Sequence, residues 1–266
     1  MHYIKIRNQG SGNCNICGKA APLTWDHIPP RGGIDLTPVE MRSIFQLLTG
    51  ATEGYKFVES QNGAKYRTIC KQCNEIMGSK YDTVINSFAI SVGKYLRTAL
   101  TLPPVLNHPT RPGALIRGIL GHLIAVKVQH DQVAFDKNVA PAVLDESSPL
   151  PDDVFVYYWL YPYETSIVIR DLFISYVPLG VKGFFLCHLL KYFPVAYLVT
   201  DKPFFRSLPE LTNYRALSPR DEVAIPIYLK SVMPLNWPET TDDCHVLLGG
   251  ESLQNSVFAV PKRGKR

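Results

Sequence analysis

Two Cys-x-x-Cys pairs, Cys14/Cys17 and Cys70/Cys73, carry the most definite chemistry in this chain. Four thiolates at ~2.3 Å close the tetrahedral sphere of a structural zinc and hold two distant segments together. Between the pairs lies Asp26-His27, inside Thr24-Trp-Asp-His-Ile-Pro-Pro30, and Asn74 directly follows the second pair. An imidazole, a carboxylate and an amide beside a metal staple form a working site next to its scaffolding. Cys187 and Cys244 remain, each followed by His. Cys187 stands in the apolar run Phe184 to Leu190, where a buried thiol is the better assignment than a second metal site.

The elements that must position these residues follow from local pattern. Tyr3 to Arg7 alternates apolar and basic side chains, as a short strand or ordered arm does. Leu23 to Ile28 is compatible with a strand that delivers His27 at its end, before Pro29-Pro30 and Gly32-Gly33 release the chain into a loop. Thr37-Pro-Val-Glu40 has capping-box chemistry and predicts a helix to about Leu48, stopping at Gly50. Tyr55 to Ser60 and Lys65 to Ile69, around Asn62-Gly63, predict a hairpin feeding Cys70. From Lys80 to Leu100 a helix is expected, with Tyr81, Val84, Ile85, Phe88, Val92, Tyr95 and Leu96 on its apolar face and Lys80, Lys94 and Arg97 opposite.

Four prolines in residues 102–113 predict an irregular linker. Residues 1–101 and 114–266 are accordingly expected as two domains. In the second, Ala114 to Val128 reads as an amphipathic helix with His122 as a hydrogen-bonded core histidine. Five segments rich in β-branched and aromatic residues then predict a mainly antiparallel sheet: 154–161, 166–177, 183–190, 195–200 and 223–228. The aromatic group Tyr157, Tyr158, Trp159, Tyr161 and Tyr163 is better explained by sheet packing than by a ligand pocket. The fold class is α+β.

The net charge of +5 is uneven: residues 1–100 carry 12 Lys and Arg against 7 Asp and Glu, and residues 101–260 carry 12 against 16. Basic character in the cysteine-bearing part, and in the tail Lys262 to Arg266, suits a phosphate-backbone partner. The opening residues lack the apolar run of a signal peptide, and no apolar segment reaches ~18 residues, so a cytoplasmic protein with no membrane partner is expected.

At Cys14-x-x-Cys17, Asp26-His27 and Cys70-x-x-Cys73-Asn74 the chain resembles the HNH, or ββα-metal, endonucleases of the zinc-stapled kind, over about residues 10–100. The resemblance implies an amino-terminal ββα-metal nuclease domain with His27 as the general base, Asp26 and Asn74 as ligands of Mg²⁺ or Mn²⁺, and the four cysteines on zinc. It implies DNA as the partner, with RNA left open. Imidazole, with its pKa of ~6.5, suits the proton acceptor that phosphodiester hydrolysis needs, and a cation suits the charge that develops. Soft thiolates suit zinc and hard oxygens suit magnesium, so two metals with separate roles are consistent. The long segment between His27 and Cys70 leaves the middle Asn of the HNH pattern without a fixed position. Asn62 is a candidate, and Arg31, Lys71 and Lys80 are candidate phosphate contacts. Fusion to a second domain, for targeting, sensing or homo-oligomerisation, is similar to restriction or anti-phage effectors. The competing expectation is a non-catalytic zinc-ribbon binder of nucleic acid.

Overall fold

The computed structural model describes residues 4, 6, 10–33, 36–51, 53–54, 56–128, 133–175, 184–239, 245–248 and 256–262. Strands β1 (Ser11–Asn13) and β2 (Ala20–Ile28) flank the first cysteine pair. Strand β3 (Val39–Ser43), helix α1 (Ile44–Thr49), β4 (Val58–Ser60) and β5 (Ala64–Cys70) lead to the second pair. Helix α2 (Lys71–Ile76) starts where β5 ends and passes through a π-helical turn, Met77–Asp82, into α3 (Thr83–Arg97). There follow β6 (Val105–Thr110), α4 (Pro112–Ala125), α5 (Ala134–Leu144), β7 (Phe155–Leu160), β8 (Ser166–Ser175), β9 (Phe184–Tyr192), β10 (Val195–Thr200), β11 (Val223–Tyr228), β12 (His245–Leu248) and β13 (Val257–Pro261). The chain is α+β, and no helix among the described residues is long and apolar enough to cross a membrane.

Three antiparallel sheets organise the strands: β1-β2-β5, the large sheet β4-β3-β13-β8-β9-β10-β7 with β12 on β8, and the pair β11-β6. Side chains of the large sheet alternate between two cores, as a period of two requires. On β7, Tyr158 and Leu160 face one core while Tyr157 and Trp159 face the other. The aromatic group is therefore sheet packing, as expected, and Cys187 is buried in the second core.

The first core joins the cysteine-bearing strands to the rest of the chain: Ile16, Leu23, Tyr66, Met77 and Phe88 share it with Leu115, Ile119, Leu123, Tyr158 and Val257. Helix α4 is the hinge of this packing. A Cβ on Gly121 would stand 2.3 Å from the Met77 sulfur, so any larger residue there would force the Met77 side chain to move. Across the contact, the Tyr81 hydroxyl donates to the Val143 carbonyl at 3.0 Å.

Several local expectations are overturned by tertiary pairing. Thr37 does not start a helix: Val39 to Ser43 is a strand, because Met41 and Val39 alternate inward and β13 pairs with it. The helix begins only at Ile44, capped by the Ser43 hydroxyl, and ends as expected at Gly50 with φ 67°. The predicted hairpin at Asn62-Gly63 does not form, since β4 pairs with β3 and β5 pairs with β2. Residues 102–113 are not irregular throughout; they contain β6 and the first turn of α4. The prolines fit because β6 and β11 form a two-stranded ribbon with open edges, where a missing N–H costs no ladder bond. Helix α5 carries no expectation from sequence. Of the arm expected at Tyr3 to Arg7 only Ile4 and Ile6 are described, and Arg67 N–H donates to the Ile6 carbonyl at 2.8 Å. Cys244 and the basic tail beyond Lys262 lie outside the described residues.

Candidate functional site

The four cysteines converge: the sulfur atoms of Cys14, Cys17, Cys70 and Cys73 all lie within 4.8 Å of one another. Cys17 and Cys70 sulfurs are 3.9 Å apart, close to the ~3.8 Å edge of a tetrahedron with ~2.3 Å metal–sulfur bonds. The Cys70 backbone N–H donates to the Cys14 sulfur at 3.2 Å. Side-chain hydrogen bonding from Cys73 lowers the Cys14 thiol to about 5, whereas Cys73 is raised chiefly by the same bond and Cys17 by burial. The thiols oppose one another's ionisation, and a bound cation would favour the thiolate form of all four. The donor set and its spacing fit a structural zinc.

The staple sets the geometry of what lies beside it. Cys14 and Cys17 precede β2, Cys70 ends β5, and Cys73 lies in α2, so an ion there holds two paired strands to the start of the following helix. Asn74 adds a second tie: its amide nitrogen donates to Thr24 Oγ1 at 3.0 Å and to the Trp25 carbonyl at 3.1 Å. The helix is thereby fastened to the peptide just before Asp26.

Consecutive strand residues point to opposite faces, and Asp26 and His27 do so here. Asp26, 3% exposed, turns toward α4, where its Oδ2 meets His122 Nδ1 at 2.8 Å. The other ring nitrogen of His122 meets Asp82 Oδ1 at 3.1 Å, at the end of the π-helical turn. Burial opposes charge on His122, but the flanking Asp26 and Asp82 carboxylates outweigh it and hold the imidazole at about 10, an imidazolium at neutral pH. Burial pushes Asp26 above the usual carboxylate range, and His122 pulls in the opposite direction.

His27 turns the other way. It is 9% exposed, and Arg31 Nε donates to its Nε2 at 3.2 Å. An arginine N–H only donates, so Nε2 is the lone-pair nitrogen of the neutral ring and Nδ1 carries the proton. Burial first, then the charges of Arg31 and Lys65, lower His27 to about 4. It is a neutral proton acceptor across the physiological range.

Beyond Arg31 opens a groove of about 1010 Å³. Arg31, Asn62, Lys94, Arg97 and Phe193 line it. Of the other candidate phosphate contacts, Lys71 faces Glu75 at 3.7 Å and Lys80 faces Glu146 at 3.9 Å, both away from these lining residues.

The expected magnesium ligands are placed differently from what a hydrated ion needs. Mg²⁺ demands near-octahedral room and keeps several waters. Asp26 is nearly inaccessible, commits one oxygen to His122 and accepts from the His27 backbone N–H. Asn74 spends its amide nitrogen on the strand, which leaves its Oδ1 as the one ligand atom it could offer. As placed Asp26 does not fit such an ion, and no chemical step is assigned to one.

No protein-family model, curated protein or solved structure matches the chain. The site therefore stands on its own geometry. Sequence reasoning brought together the four cysteines, Asp26, His27 and Asn74, and assigned His122 to the core. It did not find that His122 and Asp82 complete a triad with Asp26, because the 96 residues between Asp26 and His122 leave no local signal.

Proposed function

We propose that the chain is an endonuclease of the ββα-metal kind that hydrolyses phosphodiester bonds in nucleic acid, stapled by zinc at Cys14, Cys17, Cys70 and Cys73. The observation that carries this is the neutral His27, held at the end of a strand beside Arg31 and a basic groove. Water replacing Arg31 at Nε2 gives its proton to His27 as it attacks phosphorus, and the P–O bond to the departing sugar oxygen breaks, that oxygen taking a proton from solvent. The displaced guanidinium, whose planar fork matches phosphate oxygens, neutralises the charge that builds there. DNA is the first substrate to test, in line with the resemblance.

A second reading, a nucleic-acid binder without catalysis, is favoured by one observation: Asp26 is committed to His122 rather than open to a catalytic ion. One experiment separates the two. Purified protein and His27→Ala are incubated with plasmid, branched DNA, single strands and RNA, in Mg²⁺, in Mn²⁺ and without added divalent ion. Cutting that His27→Ala lacks supports the hydrolase. Binding with no cutting on any substrate supports the binder, and equal cutting by His27→Ala refutes the base assignment.

A further inference from the structure

The groove lined by Arg31, the partner of His27, runs along helix α3. Asn86 Nδ2 donates to the Arg31 carbonyl at 2.7 Å, and a Cβ on Gly33 would stand 2.3 Å from Asn86 Oδ1. The loop that bears Arg31 is therefore pinned to α3 near Asn86. Further along the same helix, Lys94 and Arg97 are exposed and line the groove, and Phe193 packs under the Arg97 guanidinium at 4.8 Å from its ring centroid. Among the described residues, three cations thus face one groove against a single lining carboxylate, Glu164. At ~1.5 Å rise per residue, Lys94 lies ~12 Å and Arg97 ~16 Å along the axis from Asn86. At ~3.4 Å per nucleotide of one strand, that span matches the backbone of about four to five nucleotides.

We propose that this groove is the track for one nucleic-acid strand, with Arg31 at the phosphate beside His27 and with Lys94 and Arg97 on phosphates further along. This rests on the proposed function for its choice of partner, and it adds the binding surface and the direction of the strand. The charge is complementary to a phosphate backbone. Arg97, propped on Phe193, offers a guanidinium already oriented, so less side-chain freedom is lost on contact. Contacts of this kind position a strand without reading its sequence.

The test is equilibrium binding of a fluorescein-labelled 20-nucleotide single strand by anisotropy, from low to high salt, with the full chain carrying His27→Ala so that the probe stays intact. Lys94→Ala/Arg97→Ala is compared with Lys137→Ala/Lys230→Ala, which removes the same charge from exposed positions that do not line the groove. The groove variant is expected to bind more weakly on every sequence tried, and to lower the slope of log K against log salt by ~1.4, two phosphates at ~0.7 each. The control pair should leave the slope unchanged. An unchanged slope in the groove variant, an equal loss in the control, or no binding by the parent chain overturns the proposal. Binding through Lys94 and Arg97, with a wild-type chain that cuts none of the substrates, leaves the track standing and refutes the hydrolase. Cutting by a chain whose binding ignores both residues does the reverse.

Discussion

His122→Ala is expected to be among the most damaging single substitutions in this protein, although His122 is far in sequence from every other residue of the site. Its imidazolium lies between Asp26 and Asp82, 1% exposed. Its removal leaves a buried carboxylate with no counter-charge and opens a ring-sized void. Breaking a buried pair by removing one partner costs about 3–5 kcal/mol. Raising the imidazole from 6.5 to about 10 corresponds to about 5 kcal/mol of differential interaction, which is in the same range. At about 2–4 °C per kcal/mol for a chain of this size, thermal unfolding should move down by about 6–20 °C. The sign of the pH dependence follows from the raised value. The stabilisation is complete below pH 6.5 and is lost as pH rises through about 10. Unfolding followed by circular dichroism from pH 6 to 10 should therefore show the difference between wild type and His122→Ala shrinking with pH. A difference of under about 1 °C at pH 6, or one that grows toward pH 10, would refute the charged triad.

Replacement of any one of Cys14, Cys17, Cys70 or Cys73 by Ser should abolish cooperative folding of the β2-β5-α2 unit, because binding free energy of about 10–16 kcal/mol at such a site is folding free energy. Elemental analysis should return close to one zinc per chain, and a value near zero would remove the staple. His27→Ala should lower cutting by about 10²–10⁴-fold. Because His27 is depressed to about 4, the acid limb that His27 imposes on the wild-type profile should fall near pH 4, and a limb at pH 6.5 would show an unburied imidazole. Gly121→Val should destabilise by about 1–3 kcal/mol through overpacking against Met77, and chemical denaturation measures it.

What was legible in the sequence was what is encoded within a few residues. Each Cys-x-x-Cys brings two ligands together by its own turn, and the apolar face from Tyr81 to Leu96 needs only helical periodicity to be seen. The strands from 154 onward announced themselves by β-branched and aromatic runs. Failures came where a distant strand overrode a local signal. Thr37-Pro-Val-Glu40 has the residues of a capped helix, yet Val39 and Met41 are buried in a strand held by Val260 and Ala259 from the far end of the chain. Asn62-Gly63 has the residues of a tight hairpin, yet the strands on either side belong to different sheets. The proline-rich stretch was read as a break because proline removes donors, and the open-edged ribbon of β6 with β11 tolerates that loss.

The same distinction runs through the site. The adjacency of Asp26 and His27 is a sequence fact, and it suggested one shared task for the two side chains. A strand separates neighbours to opposite faces, so the fold gives them different surroundings: Asp26 anchors the strand inward through His122, while His27 meets Arg31, which lines the groove. The anchor matters because β2 has a register shift between Thr24 and Trp25, immediately before the pair. A strand end that follows such an irregularity has fewer ladder bonds to fix its side chains. An ion on the four cysteines would hold its beginning, Asn74 holds the shifted peptide, and the His122 imidazolium holds the residue next to His27. These ties fix the end of the strand, and under the proposed function they would keep His27 within the tolerance of proton transfer.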